Sequence, residues 1–318
     1  MEKGDFLSKI KDAEKVEIIG LVDNSVDFLS TSPREEVKVF REWVKGDFHN
    51  PIAEHGFSML IRVFNGGKAH SVLFDTGSSP RGVIINARRM GIDLAEVEYI
   101  VLSHGHYDHF TGLPAVAKVI GKSELPIIVH RDMFNRRGTI SPDGTIRKGP
   151  IFPSEEKVKP ARYVEVKRPH LIADDLILVT GEIPRKTRFE TGYPRHVAFV
   201  NGRWSPDPWI WDDRALAIKV EGKGLVVICG CGHAGVVNTI LYVQQLTGVE
   251  TVYAVLGGFH LAGKTFEKRI DETVKELKKI SPKLLAPSHC TGWRANFTMF
   301  KTMPEAFIWN SVGNLYKL

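Results

Sequence analysis

Between positions 104 and 109 the chain reads His104-Gly105-His106-Tyr107-Asp108-His109, four potential metal ligands in six residues. They follow the apolar run Ile100-Val101-Leu102, so a strand delivers them into a loop. Imidazoles and a carboxylate around a common point are how a borderline cation such as zinc is held, and Asp108 adds an anionic donor for a second cation beside the first. Further strand ends repeat the pattern of glycine plus a ligand type. Cys229-Gly230-Cys231-Gly232-His233 offers His233 as a metal ligand, with Cys231 as a weaker option that could equally pack as a small hydrophobe. Ser288-His289-Cys290 offers His289, also as a ligand. Gly257-Gly258-Phe259-His260 offers a histidine suited to acid or base work. Asp75, in Phe74-Asp75-Thr76-Gly77, could fix a ligand histidine through its other N–H. We count Asp75, Asp108 and His260 as catalytic candidates. His49, His70, His130, His170 and His196 lack a ligand-like context and read as surface groups.

Elements must carry these loops to one place. Strands are expected over 16–26, 58–64, 71–74, 97–102, 125–129, 171–180, 214–220, 225–229, 252–256 and 284–286, and helices over 80–90, 113–120, 235–246 and 266–280. Hairpins open the chain, and strands alternate with helices in its second half. Residues 133–170 are rich in Arg, Lys, Gly and Pro, show no sustained periodicity, and read as an irregular insertion. The expectation is a single layered α/β domain spanning 1–318.

Composition narrows the function classes. At 318 residues and 43% hydrophobic content the chain can bury a large core, and it contains no run of about 18 apolar residues to span a membrane. Three cysteines cannot build a disulfide framework, which fits a reducing cytoplasm. A net charge of +6 suits phosphorylated small molecules. The basic residues are scattered and no nucleic-acid module is recognisable, so a nuclease or nucleic-acid-binding protein is the weakest reading. Two glutamines amid many Lys and Glu lean toward a thermophile surface. Association into a homo-oligomer stays open.

With these motifs in order, the chain resembles the metallo-β-lactamase superfamily. Asp75-Thr76-Gly77, Ser103 to His109, and Ser288-His289 carry the match over nearly the whole length. The resemblance implies a four-layer αββα sandwich with a dinuclear site, usually zinc, at one edge. We expect one or two Zn2+, with Mn2+ or Fe2+ as alternatives. Asp23-Asn24, Glu54-His55-Gly56-Phe57-Ser58 and the loops ending in His233 and His260 resemble one subgroup of metal-dependent hydrolases. That subgroup includes an archaeal pterin-transferring synthase of methanopterin biosynthesis, similar to dihydropteroate synthase in reaction but not in fold.

One departure is informative. Where the superfamily places a bridging acid, this chain has Cys229 to His233, and no further Pro-Gly-His-Thr motif follows. The first metal pocket is therefore completed by His233, by Glu182 or by water. Hydrolysis of a small phosphorylated metabolite by a metal-activated water is the favoured activity. The alternative is transfer of a hydroxymethyl-dihydropterin from its diphosphate to an arylamine ribofuranosyl phosphate. Glu54, His55, Glu182, Arg136, Arg185 and Arg188 are the expected substrate-binding residues, with Trp204, Trp209 and Trp211 as a stacking wall.

Overall fold

Successive residues on the central strands point to opposite faces, and here both faces are apolar. In the strand Lys15–Val22, Ile18 faces one core and Ile19 another. Val72 and Phe74 share the core of Ile18, while Leu73 joins that of Ile19. Leu216, Ile218, Val226 and Ile228 meet Ile18 and Phe74 from the opposite sheet, and Ala215, Ala217, Leu225 and Val227 turn away into a third core. Such a pattern requires two sheets face to face with helices outside both. The computed structural model, which describes residues 9–32, 34–46 and 49–318, has this arrangement, an αββα sandwich.

Among the described residues, one sheet has eight strands in the spatial order Arg162–Glu165, Pro126–Val129, Tyr99–Val101, Lys68–Phe74, Ser58–Asn65, Lys15–Val22, Leu315–Lys317 and Val37–Lys38. Helices Gly82–Arg89 and Leu113–Ile120 cover its outer face. The other sheet runs His170–Ile172, Ile177–Val179, Ala215–Val220, Gly224–Cys229, Val252–Gly258, Leu284–Ser288, with Asp12–Ala13 added beside Ala215–Val220. Helices Val236–Thr247, Ile270–Ile280 and Trp293–Thr302 cover it. No helix among the described residues is long and apolar enough to cross a membrane.

Two expectations change. The expected strand over 171–180 is a hairpin, His170–Ile172 against Ile177–Val179, turned through Ala173, Asp174 and Asp175, all at positive φ. Residues 133–170 are not irregular. They contribute Arg136–Ile140 and Ile146–Lys148 to a third, four-stranded sheet with His196–Val200 and Arg203–Pro206, and Arg162–Glu165 extends the eight-stranded sheet. These strands carry few apolar residues, which is why their periodicity escapes notice.

Every candidate loop leaves the carboxyl end of a strand, and the two sheets bring those ends to a common edge. Asn24 Nδ2 donates to the His289 carbonyl at 2.9 Å, and the His289 amide donates to Asp23 Oδ1 at 2.8 Å, so opposite sheets are stitched together there. The helix Val236–Thr247 starts just after His233. Its first free amides, Val237 and Asn238, each donate to the buried Glu190 carboxylate at 2.8 Å. Burial pushes the Glu190 carboxyl above its ordinary value, and those two amides, the Thr187 hydroxyl at 3.0 Å and the Arg269 charge compensate in part. Glu190→Ala is expected to cost about 2–4 kcal/mol in denaturant unfolding, two orphaned amides at about 1–2 each. Glu190→Gln, which keeps an acceptor, should recover part of that loss.

Candidate metal centre

Four elements set the histidines. Asp75 is fully buried at the end of Lys68–Phe74 and accepts from the Ser103 amide and hydroxyl, both at 2.7 Å. His109 Nδ1 donates to Asp75 Oδ2 at 2.6 Å, and His104 Nδ1 lies 2.9 Å from Ser103 Oγ. With the hydroxyl proton committed to Asp75, Ser103 Oγ accepts from His104. Both rings therefore carry the proton on Nδ1 and turn an Nε2 lone pair inward. Asp75, expected among the catalytic groups, thus lies behind the histidines and orients them.

Two further acids, Asp212 and Asp213, shape the loops. Asp212 accepts the Gly105 amide at 2.8 Å and a forked pair from Arg137 at 2.9 and 2.6 Å. Asp213 accepts the Ala234 amide at 2.8 Å, next to His233. Arg137 reaches on to Asp207 at 3.0 Å, tying the third sheet to the histidine loop.

The inward-facing atoms form two adjoining groups. His104 Nε2 lies 2.9 Å from His106 Nδ1, which lies 3.1 Å from His233 Nε2. Asp108, His109, Cys231 and His289 form the second group, with His109 Nε2 3.2 Å from Cys231 Sγ and His289 Nε2 3.2 Å from Asp108 Oδ2. Ligand nitrogens around a tetrahedral zinc at about 2.0 Å stand about 3.3 Å apart, so these separations match a metal cage. Charge agrees. Burial, and then the neighbouring imidazoles, push His104, His106 and His233 well below their ordinary pKa, leaving neutral rings with free lone pairs. Burial opposes charge on Asp108 as well, yet His109 and His289 hold it below the usual carboxylate range. His289 Nε2 is buried and meets only the Asp108 carboxylate, so both atoms face the same point. The donor set fits one or two cations of zinc's class. Asp75, His260 and His289 sit at positive φ, 61°, 46° and 50°, a clustering of strained backbone at the centre.

All six expected ligands, His104, His106, Asp108, His109, His233 and His289, come together here, and His260 stacks on His233 with ring centroids 4.0 Å apart. His55 stands at the rim, 3.6 Å from Asp108 Oδ2. The other side chains expected to bind substrate have partners or positions of their own. Glu182 pairs with Lys167 and His130, at 3.1 and 3.3 Å, and His233 completes the three-histidine group instead. Glu54 is consumed by the Ser78 and Ser79 amides and the Ser79 hydroxyl. The Arg185 guanidinium donates to the Ile183, Trp209 and Ile210 carbonyls and lies over Trp211. Arg136 donates to the Gly149 carbonyl, and Arg188 is exposed; neither lines the cavity beside the histidines. None of Trp204, Trp209 and Trp211 lines it either. Conversely, two histidines read as surface groups are not: His130 is 3% exposed, and His196 lines the cavity with its ring 5.2 Å from His106. No local signal marks His196, which opens the short strand His196–Val200. Asp212-Asp213-Arg214, directly before an apolar strand, is a charge run whose burial that position could have suggested.

Residues 52–243 match the model of the metallo-beta-lactamase superfamily. The chain belongs to this superfamily. It is 32% identical over 272 residues to the 7,8-dihydropterin-6-methyl-4-(beta-D-ribofuranosyl)-aminobenzene-5'-phosphate synthase of Methanocaldococcus jannaschii, covering 83% of this chain and 90% of that one. An uncharacterised protein of the same organism is 31% identical, with 83% and 93% covered. Among solved structures, Tm1679, a metal-dependent hydrolase of the beta-lactamase superfamily, superposes with a TM-score of 0.71 at 26% identity, covering 95% of this chain and 98% of that one.

Elemental analysis of protein purified without added metal should find about two cations per chain, falling to about one in His233→Ala and unchanged in Glu182→Ala. Asp75→Asn should keep the fold by circular dichroism while weakening metal affinity about 10- to 100-fold in chelator competition.

Proposed function

We propose that this protein transfers a dihydropterin-methyl group from a diphosphate donor to an arylamine bearing a ribofuranosyl phosphate. The carrying observation is a two-lobed cavity opening beside the metal ligands. One lobe, about 710 Å³, is lined by His106, Asp108 and His260 on its inner side and by Arg147, Lys148 and Arg195 on the third sheet. Those three cations have no carboxylate partner among the described residues, which favours an anionic, phosphorylated occupant. The second lobe, about 440 Å³, shares Arg195 and His196 with the first and adds Tyr193, Lys264 and Phe266. Tyr193 and Phe266 lie 5.4 Å apart between the rings of His196 and His260 and offer a flat ring an aromatic wall. Two adjoining lobes, the first of them beside the candidate metal ligands, suit two substrates, and the 32% identity to a synthase supports the same reading.

In this reaction the arylamine nitrogen forms a bond to the pterin methylene carbon. The bond from that carbon to the diphosphate oxygen breaks, and diphosphate leaves with the electron pair. Bound cations would supply positive charge for the departing diphosphate. Arg147 and Lys148 hold the ribosyl phosphate, and Phe266 and Tyr193 orient the pterin. The amine proton passes to His196, whose buried Nδ1 has no partner, and from there to solvent. Both reacting groups are thus fixed against each other before bond formation.

Hydrolysis of a phosphorylated metabolite is the second reading, favoured by the histidine loop and by the resemblance to Tm1679. Incubating the purified enzyme with hydroxymethyl-dihydropterin diphosphate, with and without the arylamine ribosyl phosphate, separates the two. Amine-dependent diphosphate release with a joined product is expected; release at the same rate without amine would replace transfer by hydrolysis. Arg147→Ala with Lys148→Ala should raise KM for the arylamine phosphate about 10- to 100-fold, roughly 1.4–2.8 kcal/mol, leaving metal content unchanged.

A further inference from the structure

We propose that the Cys231 sulfur is a metal ligand lying between the two cation positions, where it takes the part of a bridging carboxylate. The inference rests on the metal reading of this centre and adds to it the class of cation. Cys231 Sγ falls within ligand range of two groups: Asp108, His109 and His289 on one side, His233 and His260 on the other. His233 belongs in turn to the group of His104 and His106, so sulfur links the two halves of the centre. The sulfur lies 3.2 Å from the atom of His109 aimed into the cage, Nε2.

Packing holds the sulfur there. Gly230 passes so close to the histidine-orienting groups that a Cβ on it would stand 2.2 Å from Ser103 Oγ and 2.9 Å from Asp75 Oδ2. Gly232 turns at φ +65, with its Cβ position 2.9 Å from the Gly258 carbonyl. Cys290 Sγ donates to the Cys231 carbonyl at 3.3 Å, fixing the same backbone from the other side. A cysteine that served only as core filling would not need its sulfur turned toward a ligand nitrogen. Cys229, two residues earlier, shows the contrast: it packs in the apolar core with Phe259 and Val227.

A thiol binds by giving its proton to solvent as the metal–sulfur bond forms. A thiolate beside imidazoles selects borderline cations such as zinc, cobalt or iron(II) over magnesium, calcium or manganese.

Cobalt(II) loaded into metal-depleted protein tests this without reference to activity. Visible bands report cobalt bound by the histidines, and a near-ultraviolet charge-transfer band reports a cobalt–thiolate bond. We expect both in the native protein, loss of the near-ultraviolet band alone in Cys231→Ser, and its retention in Cys290→Ser. Zinc-edge X-ray absorption on the unaltered protein needs no variant and should show a sulfur neighbour at about 2.3 Å. Visible bands with no charge-transfer band, or a band surviving Cys231→Ser, would overturn the sulfur's role while leaving the metal centre intact. Failure to bind cobalt at all would overturn the metal centre itself, and this inference with it.

Discussion

A carboxylate sealed from water holds this centre together. Asp75 is fully buried and spends its two oxygens on Ser103 and His109. A buried charge of this kind is costly unless every lone pair is met, and here the partners meeting it are the groups that aim the ligands. His104 is oriented through Ser103, His109 directly, and the Cys231 loop rests against the same pair through Gly230. The positive φ of Asp75 is the backbone consequence: the chain must turn sharply at the strand end to drive the carboxylate back under the loop. Asp212 and Asp213 repeat the device one layer out, on the Gly105 and Ala234 amides. The metal-facing groups are thus set before any ligand arrives, by acids that never face the cavity.

What was legible in the sequence follows from how local each signal is. The histidine loop is a run of six residues after an apolar strand, and both its chemistry and its position follow from that. Helix Leu113–Ile120 matches its expected bounds because its apolar spacing and its closing Gly121 are local as well. The superfamily and its four layers were readable because several strand-end motifs recur in order. Non-local placement was not readable. Arg185 looked like a phosphate ligand by type, yet both of its terminal nitrogens donate to backbone carbonyls. Arg136 and Arg137 are adjacent and alike in sequence, but strand alternation sends Arg137 to Asp212 and Arg136 to the Gly149 carbonyl. His196 reaches the cavity only because its strand pairs with Arg136–Ile140, a register that no local pattern reveals.

The third sheet is built in part from the least periodic part of the chain and lines the cavity beside the histidines. A strand in a two-sided core must be apolar on both faces, but these strands have the metal ligands and a cavity beneath them. Their freedom from core packing permits Arg147, Lys148 and Arg195 to stand unpaired around that cavity, where a core position would have demanded a partner for each. The sandwich supplies rigidity to the buried histidine cluster; the sheet that covers it supplies surplus positive charge. Joining the two through the buried Arg137–Asp212 pair keeps the strands of the third sheet in register with the histidine loop. One guanidinium therefore fixes the distance between the basic end of the cavity and the histidine cluster. For the transfer proposed above, which aligns two substrates, that distance is the quantity on which the reaction would depend.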